Sequence, residues 1–268
     1  MVDFVESVPD FVALGRLNGR GAIVIGAGQG FGRHTAHALR AAGAHVAIVD
    51  LNPELAEELA TEVSGVAITA DVRHEAEVQR ALDVAVAALG HVHAVVDIVG
   101  LGKHGPLVDL TDADWTDSYD VNFRHVTVVV RVMGRYLARQ GTGSIVFIGS
   151  ISGLGSAPNH GAYGAFKAAM HALVRTAGFE LAASNVRVNA VAPGLTATPR
   201  VLAQLPDMQD VGVLGGLPQA RDIGAAVYYL CSDLSRMVTG HVLVVDAGQT
   251  LRYPVEVPQG IVHQLSVH

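Results

Sequence analysis

A single doubly wound α/β domain, built on a seven-stranded parallel sheet with helices on both faces, is the fold the sequence predicts, and three observations carry that prediction. Short runs of Val, Ile and Ala recur without polar alternation, as in strands buried on both faces. Longer helical patterns separate them, which requires right-handed crossovers into a parallel sheet. No linker, internal repeat or low-complexity tract divides the chain, so residues 1–268 are expected to form one domain.

The elements follow in order. Residues 1–18 carry no regular pattern and are read as an N-terminal extension. The first strand spans Gly21 to Gly26, and a glycine-rich turn then opens a helix at about Phe31. The second strand is His45 to Asp50. Asn52 followed by Pro53 supplies an N-cap side chain and a residue whose missing N–H costs nothing at the first helical position, so Glu54 to Val63 forms a helix. Val66 to Ala70 and His93 to Val99 are strands three and four. Thr111 with Asp114 three residues on is a capping-box pattern opening a long helix, Asp112 to Arg139. Strand five is Ser144 to Gly149; a second long helix, Ala162 to Ala183, precedes strand six, Val186 to Val191. Residues 195–217 mix Pro and Gly with Leu195, Val201, Leu202, Leu205, Met208, Val211, Val213 and Leu214, the composition of an apolar lid without regular structure. His241 to Asp246 closes the sheet, and residues 251–268 form a tail with Pro254 and Pro258 among apolar residues.

Composition narrows the function classes. Half the residues are hydrophobic and 16% are charged, against about 25% in an average soluble domain; disorder is excluded, and part of the apolar surplus is expected in subunit contacts. The net charge is −7 and Lys and Arg form no cluster, so a nucleic-acid partner is not expected. Every apolar run is broken well short of the roughly 18 residues a membrane span needs, and Met1 to Asp10 carries three acids in place of a signal peptide. A cytoplasmic protein without a membrane partner is expected. Cys231 has no second cysteine to pair with and reads as a small core residue on a helix. The thirteen histidines contain no convincing metal-ligand spacing, so no metal is expected; His34 and His37 on the first helix are read as solvated or packed. His104 and His160 are read as surface-loop residues, with the substrate pocket as the alternative.

Gly26-Ala27-Gly28-Gln29-Gly30-Phe31-Gly32 lies between the first strand and the first long helix. A glycine-rich turn there lets the backbone approach a pyrophosphate, which the free N–H groups and positive end of the helix neutralise. Asp50 ends the second strand 18 residues past Gly32, near the spacing of about 20 expected for the acid that holds an adenosine ribose. Its charge would repel a 2′-phosphate, and neither Gln29 nor Leu51 offers a positive charge to receive one, so NAD is expected over NADP. Tyr163 and Lys167, four apart on a helix, share one face. A phenol is a poor base at neutral pH, but a neighbouring ammonium favours its anion. Ser150 falls 13 residues before Tyr163, at the end of strand five, where open α/β sheets bind their ligands.

From about Leu17 to Leu251 the chain resembles the short-chain dehydrogenase/reductase family, a branch of the Rossmann-type dinucleotide folds. The family's TGxxxGxG motif matches at Gly26, Gly30 and Gly32, with Ile25 in place of Thr. Asp71-Val72 matches the pair that holds the adenine ring, and the usual NNAG is Asp97-Ile98-Val99-Gly100, where Asp97 replaces an amide that ties neighbouring strands. Asn122, Ser150, Tyr163 and Lys167 match the catalytic set; Pro193-Gly194, with Thr196 and Thr198 beyond it, matches the segment that reaches the nicotinamide.

The resemblance implies that Tyr163 is the proton carrier and that Lys167 lowers its pKa and bonds the nicotinamide ribose. It further implies that Ser150 holds the substrate oxygen and that Asn122 anchors a water chain. It implies hydride transfer between NAD and a secondary alcohol or its ketone, and a homotetramer in which the long helices and last strands pair. The apolar lid suggests an apolar or cyclic substrate. The alternatives are a 3-oxoacyl thioester reductase, disfavoured by Asp50, and a non-catalytic dinucleotide-binding relative.

Overall fold

The computed structural model describes residues 8–102, 104–204 and 212–251. The seven strands are β1 (Gly21–Ile25), β2 (His45–Asp50), β3 (Val66–Thr69), β4 (Ala94–Asp97), β5 (Gly143–Ile148), β6 (Val186–Pro193) and β7 (Val242–Val245). They form one sheet in the order β3-β2-β1-β4-β5-β6-β7, every neighbour parallel. The order reverses between β1 and β4, and a crevice at such a switch point, beyond the carboxyl ends of the strands, is where this topology holds ligands.

The unbroken apolar strands have a direct explanation in the packing. Successive side chains of β1 enter opposite cores: Ile23 and Ile25 join one apolar cluster, Ala22 and Val24 the other. The first cluster is closed by α4 (Glu75–Leu89), α6 (His125–Val129), α7 (Arg135–Gln140) and α8 (Gly161–Glu180), the second by α2 (Phe31–Ala41), α3 (Pro53–Glu62) and α10 (Ala220–Cys231). With both faces of the central strands covered, most of their residues are apolar, and buried polar ones such as Asp97, Ser144 and Asn189 are hydrogen-bonded.

The capping signals act as expected. Asn52 Oδ1 accepts from the Leu55 N–H at 3.0 Å, while the Thr111 N–H donates to Asp114 and the Asp114 N–H returns to Thr111 Oγ1. The helix thus opened runs from Asp112 to Gln140 but is not uniform: α5 (Asp112–Tyr119), α6 and α7 are joined by two π-helical turns, Asp120–Arg124 and Val130–Gly134. Helix α4 starts at His74, which makes no side-chain cap, so its start carried no local signature.

Two segments differ from expectation. Within residues 1–18 a single turn, α1 (Phe11–Leu14), is capped by Asp10, and Leu17 is buried in the core. Within residues 195–217, α9 (Pro199–Gln204) is helical. Leu205, Met208 and Val211 of the expected lid lie outside the described residues, as does the tail beyond Leu251. Cys231 is buried at the end of α10, where burial pushes its thiol up to about 12. Among the described residues no helix is long and apolar enough to cross a membrane, and no group of three or more His, Cys, Asp or Glu is placed to hold a metal.

Candidate active site

A cleft of about 1050 Å³ opens at the carboxyl edge of the sheet. Phe31, Gly100, Ser150, Tyr163, Lys167, Pro193, Gly194, Thr196 and Thr198 all line it, so segments far apart in the chain meet as expected. Gly26, Gln29, Gly30, Gly32, Asp50, Leu51, Asp71, Val72 and Val99 continue the same edge past the ends of β1 to β4.

The turn after β1 fits a dinucleotide. Gly30 sits at the N-cap of α2 with φ +58° and ψ −122°, a conformation side chains resist. A Cβ on Gly32 would lie 2.4 Å from Ala27 Cα, so only glycine lets α2 start this close to the turn. Asp50 Oδ2 accepts from the Gly28 N–H and Oδ1 from the Asn52 N–H, both at 2.9 Å, which fixes the carboxylate beside the turn. Gln29 and Leu51 are exposed and uncharged. Arg33, the nearest cation on α2, is paired with both Glu58 and Glu62. At β3 the Asp71 carboxylate is taken by Arg73, whose Nε and terminal nitrogen donate to it, and this holds the Asp71 carboxyl below the usual range. Val72 is buried.

The four residues expected to act in catalysis come from three elements. Ser150 leaves β5 in extended conformation, and its Oγ accepts from the Ser152 N–H at 3.1 Å, fixing the loop Ile151–Gly153. Lys167 is buried one turn past Tyr163, its Nζ donating to the Ile148 carbonyl at 2.8 Å and lying 5.8 Å from the centre of the Tyr163 ring. Burial lowers its pKa to about 8, with Asp97 acting in the other direction. Burial raises the Tyr163 pKa, opposed by the Ser150 hydroxyl. Asn122 lies fully buried in the first π-helical turn. Its Nδ2 donates to the Leu101 and Ser118 carbonyls, and its Oδ1 accepts from the Leu101 N–H, all within 3.0–3.1 Å. It therefore holds the Leu101 wall of the cleft.

Asp97 has a partner of its own. Its Oδ2 meets His125 Nδ1 at 2.6 Å, both side chains fully buried, and its Oδ1 accepts from the Val99 N–H at 3.1 Å. The carboxylate thus ties the end of β4 to α6 and to its own following turn.

Other residues were not legible as parts of the site. Gln249 clamps Leu195 from both sides, accepting from its N–H at 2.8 Å and donating to its carbonyl at 2.9 Å across 54 residues of chain. His171, whose pKa burial pushes down to about 4, packs so tightly against the Ser150 loop that a Cβ on Gly149 would lie 2.2 Å from its Nε2. His104 and His160 are not free loop residues: both line the cleft. His34 and His37 are exposed, and His37 contacts Glu62 at 2.9 Å. Of the apolar residues expected in the lid, Leu195 and Val201 line the cleft among those described, while Leu202, Val213 and Leu214 are exposed.

Comparison with known proteins agrees with this geometry. The family model described as enoyl-(acyl carrier protein) reductase matches residues 26–250. A 3-alpha-(or 20-beta)-hydroxysteroid dehydrogenase of Mycobacterium bovis is 35% identical over 237 residues, covering 87% of this chain and 90% of that protein. A 3-oxoacyl-(acyl-carrier-protein) reductase, FabG, of Thermotoga maritima is 30% identical over 243 residues, 87% of this chain and 98% of its own. The solved structure of a 7 alpha-hydroxysteroid dehydrogenase complexed with NADH and 7-oxo glycochenodeoxycholic acid superposes with a TM-score of 0.82 at 30% identity, covering 90% of this chain and 98% of that one. Sheet order, glycine turn, the Ser150–Tyr163–Lys167 convergence and matches of this extent lead to one conclusion: the chain belongs to the short-chain dehydrogenase/reductase family, oxidoreductases that use a nicotinamide dinucleotide.

Proposed function

We propose that this protein transfers a hydride between NAD(H) and an apolar or cyclic secondary alcohol or ketone, with Tyr163 as general acid and base. The observation that carries the reading is the convergence of Ser150, Tyr163 and Lys167 on a cleft continuous with the glycine turn. When bound, the nicotinamide supplies the hydride donor or acceptor. The chain's own groups do the rest: the Ser150 hydroxyl donates to the substrate oxygen, Tyr163 gives or takes the proton at that oxygen, and Lys167 presents a cation beside the phenol. Leu101, held by Asn122, and Leu195, held by Gln249, supply apolar wall and exclude water.

Asp50 supports NAD as the cofactor, and the pairing of Arg33, the nearest cation on α2 among the described residues, with two glutamates adds to that support because it is not free to receive a 2′-phosphate. The expected preference is at least tenfold in kcat/KM, or about 1.4 kcal/mol, measured with NAD and NADP across a panel of cyclic and linear secondary alcohols. Equal turnover with NADP would overturn the assignment. The same panel tests the substrate class against the thioester-reductase alternative.

The assembly we propose is a homotetramer in the cytoplasm. Phe179 on α8 and Met237 before β7 are 84% and 82% exposed in the single chain, and β7 is an edge strand, the features a paired sheet edge and helix face would cover. A monomeric mass by light scattering at micromolar concentration would contradict it.

A further inference from the structure

The cleft contains one polar group of residues that neither the proton transfer nor the dinucleotide requires. Ser152 Oγ lies 2.8 Å from His160 Nδ1, and the His104 ring stacks obliquely on His160 with centroids 4.5 Å apart. Both imidazoles stand edge-on to Tyr163, their centroids 6.1 and 6.2 Å from its ring. All three residues line the cleft. Their placement is built into the backbone: the Gly105 N–H donates to the Asn159 carbonyl at 2.9 Å, so the loop carrying His104 and the loop carrying His160 are zipped together beside the reacting centre.

The chemistry of this cluster selects a ligand class. Burial, then the neighbouring His104, lowers the His160 pKa, which leaves that ring neutral at pH 7. In the tautomer in which the Ser152 hydroxyl donates to Nδ1, the ring's own proton sits on Nε2, which has no hydrogen-bond partner among the described residues. Among the described lining residues Lys167 alone carries a fixed charge, and its ammonium is committed to the Ile148 carbonyl beside Tyr163. A substrate carboxylate would find no counter-charge on the neutral His160 ring, whereas in that tautomer a neutral oxygen would find a donor. Leu101, Leu154, Ala157 and Val201 supply apolar lining in the same cleft.

We propose that Ser152, His160 and His104 form a second substrate subsite that binds a neutral oxygen, a carbonyl or hydroxyl, lying across a small ring from the carbon that Tyr163 serves. The preferred substrates are then diones and hydroxy-ketones rather than simple ketones or keto acids. This rests on the ketone-reductase reading above and specifies its substrate.

Three ketones of one ring size test it: cyclohexanone, cyclohexane-1,4-dione and 4-oxocyclohexanecarboxylate, each reduced with NADH by the full-length protein. The dione is expected to exceed cyclohexanone in kcat/KM by about tenfold, the factor that one or two neutral hydrogen bonds supply, and the carboxylate to gain nothing over cyclohexanone. In His160→Phe, and separately in Ser152→Ala, whose backbone N–H still serves Ser150, the dione-to-cyclohexanone ratio is expected to fall to about two or less. A ratio that the variants leave as it was, or a carboxylate preferred over the dione, would overturn the subsite while leaving the ketone-reductase reading standing. No turnover of any of the three by the NADH-binding wild type would overturn both.

Discussion

Replacing Tyr163 by Phe is expected to lower kcat/KM by about 10²- to 10⁴-fold in both directions, the usual worth of a positioned general acid or base. NADH affinity should stay within a few-fold, because the variant loses a hydroxyl and keeps the ring. The same residue fixes the pH dependence, and the sign follows from its surroundings. Burial raises the Tyr163 pKa above that of an ordinary phenol, so at neutral pH it carries its proton and is ready to give it to a ketone oxygen. Reduction should therefore hold through neutral pH and decline as the phenol ionises in alkali. Alcohol oxidation needs the phenolate and should climb over the same alkaline range. Lys167, whose pKa lies near 8, loses its charge on the way and blunts that climb. Initial rates in both directions from pH 6 to 10 are the check. Residual activity above a tenth in the Phe variant, or parallel pH profiles in the two directions, would show that another group carries the proton.

The largest effect on stability is expected at His125. Its Nδ1 meets Asp97 at 2.6 Å with both side chains fully buried. Changing His125 to Leu leaves the Asp97 carboxylate in the core with the Val99 N–H as its remaining hydrogen bond. Breaking one side of such a buried pair costs about 3–5 kcal/mol, which urea denaturation would read as a lower midpoint at unchanged slope. The double change Asp97→Leu with His125→Leu should recover much of the loss, because an apolar pair of similar volume strands no charge. A loss under about 1 kcal/mol in the single variant would mean that the two groups are not energetically coupled. Activity gives a second readout, since Asp97 favours the charged form of Lys167, and the loop from Asp97 to Leu101 bears on Asn122.

What the sequence alone determined here is what short-range patterns encode. The strands could be read because those at the centre of the sheet, covered on both faces, are dominated by Val, Ile and Ala. The starts of α3 and α5 could be read because Asn52 and Thr111 meet their bonding partners within three residues. The glycine turn, Asp50 at the end of β2, and the spacing of Tyr163 and Lys167 are likewise local. Helix α4, opened by His74 without a side-chain cap, offered no such start signal.

The tertiary structure decided whatever depends on residues distant in sequence. Asp97 looked like a departure from a family motif until its fold brought His125, 28 residues on, to its carboxylate. His104 and His160 looked like surface residues until the hydrogen bond from Gly105 to Asn159 joined their loops over the cleft. The tyrosine's acidity likewise depends on more than spacing: four residues on a helix place a lysine on the same face, but burial in the assembled cleft acts on the phenol too and raises its pKa. Periodicity and capping are written into neighbouring residues. Desolvation and partnership between loops exist only once the sheet has brought their ends together, and they set the chemistry of this site.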